Sequence, residues 1–402
     1  MRLGTANTYD NALQNIYARQ SDLSSQQEKL TSGKNINRAS DDPTGAAQAE
    51  RALTRITRVA TEQRALGAQS SSITLAESTL GDASSLMQSL RDLVVSAGNG
   101  GLNGSDRASK AQDMKSLRDQ LFALANRPDA NGIPLFGGLG SASTPFTDTA
   151  GVVTFNGIAG QRTSTDVAVP GAMDGQAIWM NVRSGNGTFD VALNGSNTGT
   201  VSTDAGQVIS PTAVTGDKYS VTFIVAAGVT TYDVVDTTVP PTRPALPALP
   251  VGQSYVAGTA IQFDGLSFVA NGAPANGDVV QLSPSTQTNV FKVLDDAIAG
   301  IKSASGSSSV SQTISLALSQ IDTSMNQIQS ARGQAGEWLN RADNIASSQQ
   351  GRTLQLTADK SRAEDLDMVK GLSEFQKEQT GYQVALQSYA QIQKLSLFNY
   401  IS

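Results

Sequence analysis

The C-terminal segment from Arg362 to Ser402 decides the fold, and it reads RAEDLDMVKGLSEFQKEQTGYQVALQSYAQIQKLSLFNYIS. Its repeating residues follow one another at alternating steps of four and three: Met368, Leu372, Phe375, Gln379, Tyr382, Leu386 and Tyr389. A repeat that averages about 3.5 residues keeps one side of a helix facing a partner in a left-handed coiled coil. The segment therefore predicts a long helix with one line of contact residues, which we call the C-terminal seam.

The predicted helix continues into an apolar ending that includes Leu395, Phe398 and Tyr400. Large apolar patches are rare on the surface of monomeric proteins, and they mark sites of interaction. We therefore expect another segment of the chain or another protein to cover the C-terminal seam and this ending.

The N-terminal segment from Asn7 to Ser32 carries the same spacing. Its repeating residues form the N-terminal seam: Tyr9, Leu13, Ile16, Gln20, Leu23, Gln27 and Leu30. The two seams have equal numbers of positions and the same order of steps, which predicts that the two chain ends pair as helices. The alternative is a loosely packed helix whose spacing matches by chance. Polar residues within a seam fit pairing, since such positions specify register. We expect the pair to be marginal by itself and to become stable when neighbouring subunits cover it.

A connector follows the first predicted helix and leads into the next. Gly33 fits the position after a helix end. Ser40 or Asp41 is predicted to accept hydrogen bonds from the first amides of the next helix, with Pro43 in its first turn. We interpret the acidic pair Asp41 and Asp42 as structural, because carboxylates favour the positive end of a helix.

Long helices are predicted on both sides of the middle of the chain. From Thr44 to about Ser96 the 3.5-residue repeat continues without proline, which indicates one unusually long helix. A return helix is expected from Ser105 to about Asn126. After the middle, a helix is predicted from Val290 to Ile301. A longer one begins near Val310 and continues weakly toward the final helix.

The middle of the chain, residues 141–285, changes character. Short apolar runs separated by Asn-Gly turns predict strands at Val152–Phe155, Ala177–Val182, Tyr219–Val225 and Ile261–Val269. The run from Pro240 to Pro250 is interpreted as a stiff polyproline II-like surface loop.

The resulting fold class is α+β: a long-helix bundle and coiled coil built from both chain ends, with an inserted all-β domain in the middle. The expected domains are an N-terminal coiled-coil segment (1–40), the N-terminal half of a helical bundle (41–140), the β domain (141–287), the C-terminal half of the bundle (288–361) and a C-terminal coiled-coil segment (362–402).

Composition excludes several classes of function. The net charge of −6 lies in residues 141–285, which hold ten Asp and four Lys or Arg, so no basic face for nucleic acid is expected. The chain has no His and no Cys, which removes histidine bases, thiol nucleophiles and the usual zinc ligands. No phosphate-binding loop is found, and no cofactor is expected. The start lacks a Sec-type signal sequence, and no apolar run is long enough to predict a membrane span. We expect a structural protein that assembles with other protein chains, and not an enzyme.

Three stretches resemble the bacterial flagellin family. The connector LTSGKNINRASDDPTGAA, Leu30–Ala47, is similar to the N-terminal signature of the family. The ending KLSLFNYI, Lys394–Ile401, is similar to the members found at the hook–filament junction. Leu135–Gly138 followed by Thr144–Phe146 resembles the segment that leads into their β domain. The resemblance covers about 1–146 and 288–402.

The resemblance implies a structural subunit of the bacterial flagellum at the hook–filament junction. Its implied partners are neighbouring copies in a ring, the hook-side junction protein, flagellin, and a cytoplasmic export chaperone at the C-terminal helix. It implies export through the flagellar type III apparatus to an extracellular site. The alternatives are a flagellin of the filament, or a secreted adhesin or carbohydrate-binding protein that acts through the β domain. The expected assembly interface consists of Tyr9, Leu13, Ile16, Leu23, Leu30, Met368, Leu372, Phe375, Tyr382, Leu386, Tyr389, Leu395, Phe398 and Tyr400.

Overall fold

The structure is a computed structural model that describes residues 5–140, 144–238, 249–304 and 307–401; side chains 5–9, 307 and 392–401 are outside the description. Its α-helices are α1 (Thr5–Ser32), α2 (Pro43–Ala97), α3 (Gly104–Ala125), α4 (Val290–Ser303), α5 (Ser307–Glu364) and α6 (Met368–Ile401). These bounds confirm the helices predicted from the apolar repeats. Within the described ranges, no helix is long and apolar enough to cross a membrane.

The strands all lie between α3 and α4: β1 (Phe146–Thr149), β2 (Val152–Phe155), β3 (Val182–Arg183), β4 (Phe189–Leu193), β5 (Ser202–Thr203), β6 (Gln207–Val208), β7 (Tyr219–Ala226), β8 (Val229–Asp236), β9 (Gln253–Ser254), β10 (Ala260–Phe263), β11 (Leu266–Asn271), β12 (Val279–Pro284) and β13 (Gln287–Thr288). They form a five-stranded antiparallel sheet in the order β4-β12-β7-β8-β9, a smaller sheet β10-β11-β5 with β6 also on β11, and the pairs β1-β2 and β13-β3. The α+β fold class is therefore confirmed.

The chain divides into two units, and α2 and α5 contribute residues to both. Unit 1 consists of the chain up to Arg64 and from Ile345 onward, and unit 2 of Ala65–Asn344. Unit 1 contains α1, the connector, α6 and the adjoining parts of α2 and α5. Unit 2 contains the remaining helices and all the strands.

Unit 2 has two apolar cores. The first joins α2, α3, α4 and α5 to the β1-β2 hairpin, and at its centre Phe291 stacks on Trp179 with ring centroids 6.0 Å apart. The second lies between the two larger sheets, around fully buried residues such as Val221 and Phe223. Gln312 on α5 links the helices to the smaller sheet, because its side-chain oxygen accepts a hydrogen bond from the Thr203 amide at 2.5 Å.

Two strand predictions in the middle are corrected. Ala177–Val182 is not a strand: Gln176–Met180 forms a π-helical turn, and only Val182–Arg183 is extended. The Asp174 carboxylate starts this turn by accepting hydrogen bonds from the amides of Gln176 and Ala177, and Ile178 and Trp179 are buried in the core. The predicted run Ile261–Val269 is a hairpin of β10 and β11. Its turn is made by Asp264 and Gly265, both with positive φ, as in the tight Asp-Gly turns of hairpins.

The strands at Val152–Phe155 and Tyr219–Val225 are confirmed as β2 and β7. The polyproline prediction falls largely on residues 239–248, which lie outside the described residues. The bounds of the five domains expected from the sequence stay a prediction.

Candidate assembly interface

The first feature of unit 1 is a short antiparallel bridge where α1 ends and α6 begins. The Leu366 amide donates to the Gly33 carbonyl at 2.9 Å, and the Asn35 amide donates to the Glu364 carbonyl at 2.8 Å. These bonds flank a β-bridge between Lys34 and Asp365. Because α1 runs toward this bridge and α6 runs away from it, the two terminal helices are antiparallel.

Charged side chains reinforce the bridge. The Lys34 ammonium pairs with the Glu364 carboxylate, and the Lys360 ammonium lies 3.4 Å from the same group. The hydrogen bond to Lys34 lowers the pKa of Glu364, and the reciprocal bond raises the pKa of Lys34. Both groups are therefore charged over the whole neutral range, and the pair holds the ends of α1 and α5 together.

The connector turns because of two carboxylates and two glycines. Gly33 has a φ of +71°, the left-handed conformation that ends a helix, which confirms the predicted α1 end. Asp42 accepts hydrogen bonds from the amides of Thr44 and Gly45 at 3.0 Å, and Pro43 is the first residue of α2.

The predicted cap at Ser40 or Asp41 is therefore wrong. Asp41 instead accepts hydrogen bonds from the amides of Asn37 and Arg38, at 3.1 and 2.9 Å, and so closes the connector on itself. A Cβ at Gly45 would lie 2.5 Å from the end of the Ile36 side chain, which is buried in the bend, so a larger residue there requires that side chain to move.

Along the pair, α1 and α6 meet closely at Gly381. The Arg19 guanidinium lies against Gly381, and an ion pair joins it to Glu378 at 3.6 Å. The absence of a side chain at Gly381 allows this approach. Ile16 on α1 lies about one turn farther from the bridge than Arg19, and Tyr382 on α6 lies about one turn farther than Glu378, so the two predicted seams run at the same level.

The predicted interface residues differ in how far the single chain covers them. Ile16 is buried, at 8% exposure. Several are half-buried: Leu13, Leu23, Leu30, Phe375, Tyr382 and Tyr389. Met368, Leu372 and Leu386 remain 54%, 52% and 41% exposed. The side chains of Tyr9, Leu395, Phe398 and Tyr400 lie outside the described residues.

Two further apolar residues of α6, outside the predicted seam, are also exposed. Val369 is 82% exposed and Val384 is 55% exposed. We call the five exposed apolar residues Met368, Val369, Leu372, Val384 and Leu386 the open face of α6. The break before α6 also had a sequence signal, because Asp367 accepts hydrogen bonds from the amides of Val369 and Lys370 as a helix cap does.

Family models match both ends of the chain. The bacterial flagellin N-terminal helical region matches residues 4–141, and the bacterial flagellin C-terminal helical region matches residues 318–401. Together they span more than half of the chain.

Individual relatives agree with the family models. A flagellar hook-associated protein 3 from Escherichia coli is 25% identical over 99% of this chain and 99% of that protein. The protein of the same name from Salmonella typhimurium is 33% identical over 38% of this chain and 48% of its own length. The crystal structure of a flagellar junction protein from Legionella pneumophila, 29% identical, covers 74% of this chain and 99% of that one, with a TM-score of 0.66. The chain therefore belongs to the bacterial flagellin family, and its fold and its full length match flagellar hook-associated protein 3.

Proposed function

We propose that the chain is a structural subunit of the bacterial flagellum that joins the hook to the flagellin filament at their junction. The relatives that span its full length or its fold are hook-associated and junction proteins by name. It acts by packing its terminal helices against neighbouring subunits and not by catalysis.

The observation that carries the proposal is the open face of α6. In unit 1, α6 is paired with α1, and yet Met368, Leu372 and Leu386 keep about half of their surface in water. Covering apolar surface contributes about 25 cal/mol per Å². An antiparallel helix pair with one open apolar side is thus half of a larger interface, and other protein chains supply the rest.

Several partners are proposed for this face. Neighbouring copies in a ring cover it in the assembled state, with the hook-side junction protein on one side and flagellin on the other. Before export, a cytoplasmic chaperone binds α6 and shields the same apolar residues. The chain then leaves through the flagellar type III apparatus, and its final place is the extracellular flagellum.

The proposal is tested by rebuilding the junction on isolated hooks. Hooks from cells that lack this chain are incubated with the purified chain and then with flagellin monomers. Filaments are counted by electron microscopy. We expect filaments to grow only on hooks that received the chain.

A matched pair of variants tests the role of the open face. Leu372→Asp with Leu386→Asp places two charges in the face, and filament growth should fail. Ser373→Asp with Gln387→Asp adds the same charges at the same spacing, on exposed polar positions of the same helix, and growth should persist. Equal behaviour of the two variants would contradict the proposal.

The alternative within the family is a flagellin of the filament, which the two flagellin models by themselves allow. The same experiment separates the two functions. Long filaments formed from this chain alone, without added flagellin, would make it the filament subunit.

A further inference from the structure

We propose that copies of this chain contact each other through two unlike surfaces. The residues around a groove with an arginine rim in unit 1 of one copy, the arginine groove, meet those around a groove with exposed carboxylates in unit 2 of the next copy, the carboxylate groove. The inference rests on the proposed function as a subunit that assembles with copies of itself. It names the surfaces that meet, and neither surface belongs to the α1–α6 pair.

The arginine groove lies between α2 and α5 in unit 1 and has a volume of about 420 Å³. Arg51 and Arg55, one turn apart on α2, form one side, and Arg362 of α5 lies on the other. The floor is apolar, because Ala52 and Leu356 line it and are buried. The groove therefore combines an apolar floor with a basic rim.

The positive charge of this rim is only partly neutralised by the residues that the structure describes. Arg362 pairs with Asp359, which also lines the groove. Within the described part of the chain, neither Arg51 nor Arg55 has a carboxylate within ion-pair distance, whereas Arg58 on the next turn pairs with Glu62 at 2.9 Å. Guanidinium groups present a planar fork of donors that matches carboxylates. The groove thus favours an acidic partner that also carries apolar side chains.

Unit 2 offers a groove of this kind between α2 and α3, with a volume of about 560 Å³. Its carboxylates are Asp92 and Asp113, both exposed, and its apolar part consists of the half-buried Leu93 and Leu117. Asp92 accepts a hydrogen bond from the neutral Gln88 amide at 3.0 Å. Among the described side chains, no cation pairs with Asp92 or Asp113.

The two grooves are complementary in charge, and each also has an apolar part. Each has a surplus of two charges, of opposite sign, so the contact leaves no net charge. A contact between two unlike surfaces is heterologous, and repetition of such a contact builds a ring or a helix and not a closed dimer. A subunit that assembles with copies of itself in a ring needs such a contact. The charges set the orientation of the contact more than its strength.

Site-specific cross-linking tests the contact, because the chain has no cysteine of its own. Gln48→Cys and Ser116→Cys place one thiol in each groove without removing a charge. Hook–filament structures containing the full-length double variant are treated with a short bismaleimide. We expect a ladder of covalent oligomers, and no oligomers from either single variant. The control pair Ser347→Cys with Ser116→Cys, whose first thiol is exposed on α5 outside the groove, should give none.

Charge reversal then tests the chemistry of the contact. In the two-cysteine chain, Arg51→Glu with Arg55→Glu should lower the oligomer yield about tenfold, which corresponds to about 1.4 kcal/mol. Asp92→Arg with Asp113→Arg should do the same. The chain that carries both reversals should regain the yield, since opposite charges meet again.

The outcomes separate this inference from the proposed function. Filaments that attach normally to hooks while the ladder is missing, or while both reversals leave the yield unchanged, would overturn the inference and leave the junction function standing. Loss of yield without rescue in the combined variant would also overturn it. If the chain never supports filament growth on hooks, both the junction function and the proposed contact between copies are contradicted.

Discussion

Replacing Arg118 with Met is expected to destabilise unit 2 strongly. Arg118 on α3 is 5% exposed and lies between Asp148 at 2.6 Å and Asp295 at 3.0 Å. Its guanidinium is also 5.6 Å from the ring centroids of Phe122 and Phe291. One side chain thus joins α3, the β1-β2 hairpin and α4, and its loss leaves two partly buried carboxylates without a cation.

The structure sets the expected size of the effect. Removing one partner of a fully buried ion pair costs about 3–5 kcal/mol. The side chains of Asp148 and Asp295 keep 25% and 33% of their surface in water, which screens part of the charge. We therefore expect a loss of about 3 kcal/mol in the free energy of unfolding, at the lower end of that range.

The loss should depend on pH in a definite direction. Burial already raises the pKa of Asp295 above 3.8 although Arg118 opposes the shift, so removal of Arg118 raises this pKa further. A raised carboxyl pKa means that protonation stabilises the folded state. The difference in unfolding free energy between the native chain and Arg118→Met should therefore be largest near neutral pH and should shrink as the pH falls toward 4.

Tryptophan fluorescence during urea unfolding measures the effect directly. Both tryptophans of the chain, Trp179 and Trp338, lie in the helical core of unit 2. Arg332→Met is the control, since Arg332 pairs with Glu77 at 2.6 Å but its side chain is 51% exposed. This control should lose less than about 1 kcal/mol. Equal losses for the two variants, or a loss for Arg118→Met that does not shrink in acid, would refute the reasoning.

Two further predictions concern unit 1. Gln349 on α5 is 4% exposed, and its side-chain nitrogen and oxygen have no hydrogen-bond partner among the described residues, so Gln349→Leu should stabilise unit 1 by about 1–2 kcal/mol. Slower amide exchange in α5 would show this, with the exposed Gln350→Leu as an inert control. The Lys34–Glu364 pair lowers the carboxyl pKa, so its stabilisation is complete above pH 4.5 and is lost as the pH falls through the depressed value. Hydrogen exchange of the Leu366 amide, corrected for the pH dependence of the intrinsic exchange rate, should then become faster in acid. A corrected rate that stays constant would contradict this prediction.

The helices were predictable because their signals are local. The 3.5-residue repeats placed α1, α2, α5 and α6, and Gly33 ended α1 as its conformational freedom suggests. Helical periodicity is a property of neighbouring residues, and it needs no knowledge of distant contacts. The same argument predicted the α+β class, since the strands of the middle follow one another with Asn-Gly turns between several of them.

The break between α5 and α6 was predictable only in part. Asp367 is a local cap signal, but the bridge beside the break depends on a distant residue. The bridge between Lys34 and Asp365 joins residues from opposite ends of the chain, and no local pattern reports it. The turn at Gln176–Met180 was mistaken for a strand because Ile178 and Trp179 are apolar neighbours. Both are buried, and the side chain of Gln327 on α5 donates to the Ala177 carbonyl at 2.7 Å, so tertiary contacts decide the conformation there.

The sequence located the predicted interface residues, but it could not tell which of them α1 covers and which remain exposed for another chain. The 3.5-residue repeat selected both seams and treated all their positions alike. In the structure α1 covers part of the C-terminal seam, around Tyr382, and leaves Met368, Leu372 and Leu386 about half exposed. Which part of an apolar line faces its own chain and which part faces another depends on the bridge at Lys34 and on the approach of Arg19 to Gly381.

In the proposed function, the terminal helices attach the filament while the rest of the chain folds without them. Removal of Tyr389–Ser402 tests it most directly, in cells that lack the native chain and produce the shortened one. We expect hooks without filaments and non-swimming cells, while the urea midpoint reported by Trp179 and Trp338 in the purified variant stays unchanged. Cells that carry filaments and swim with the shortened chain would contradict it.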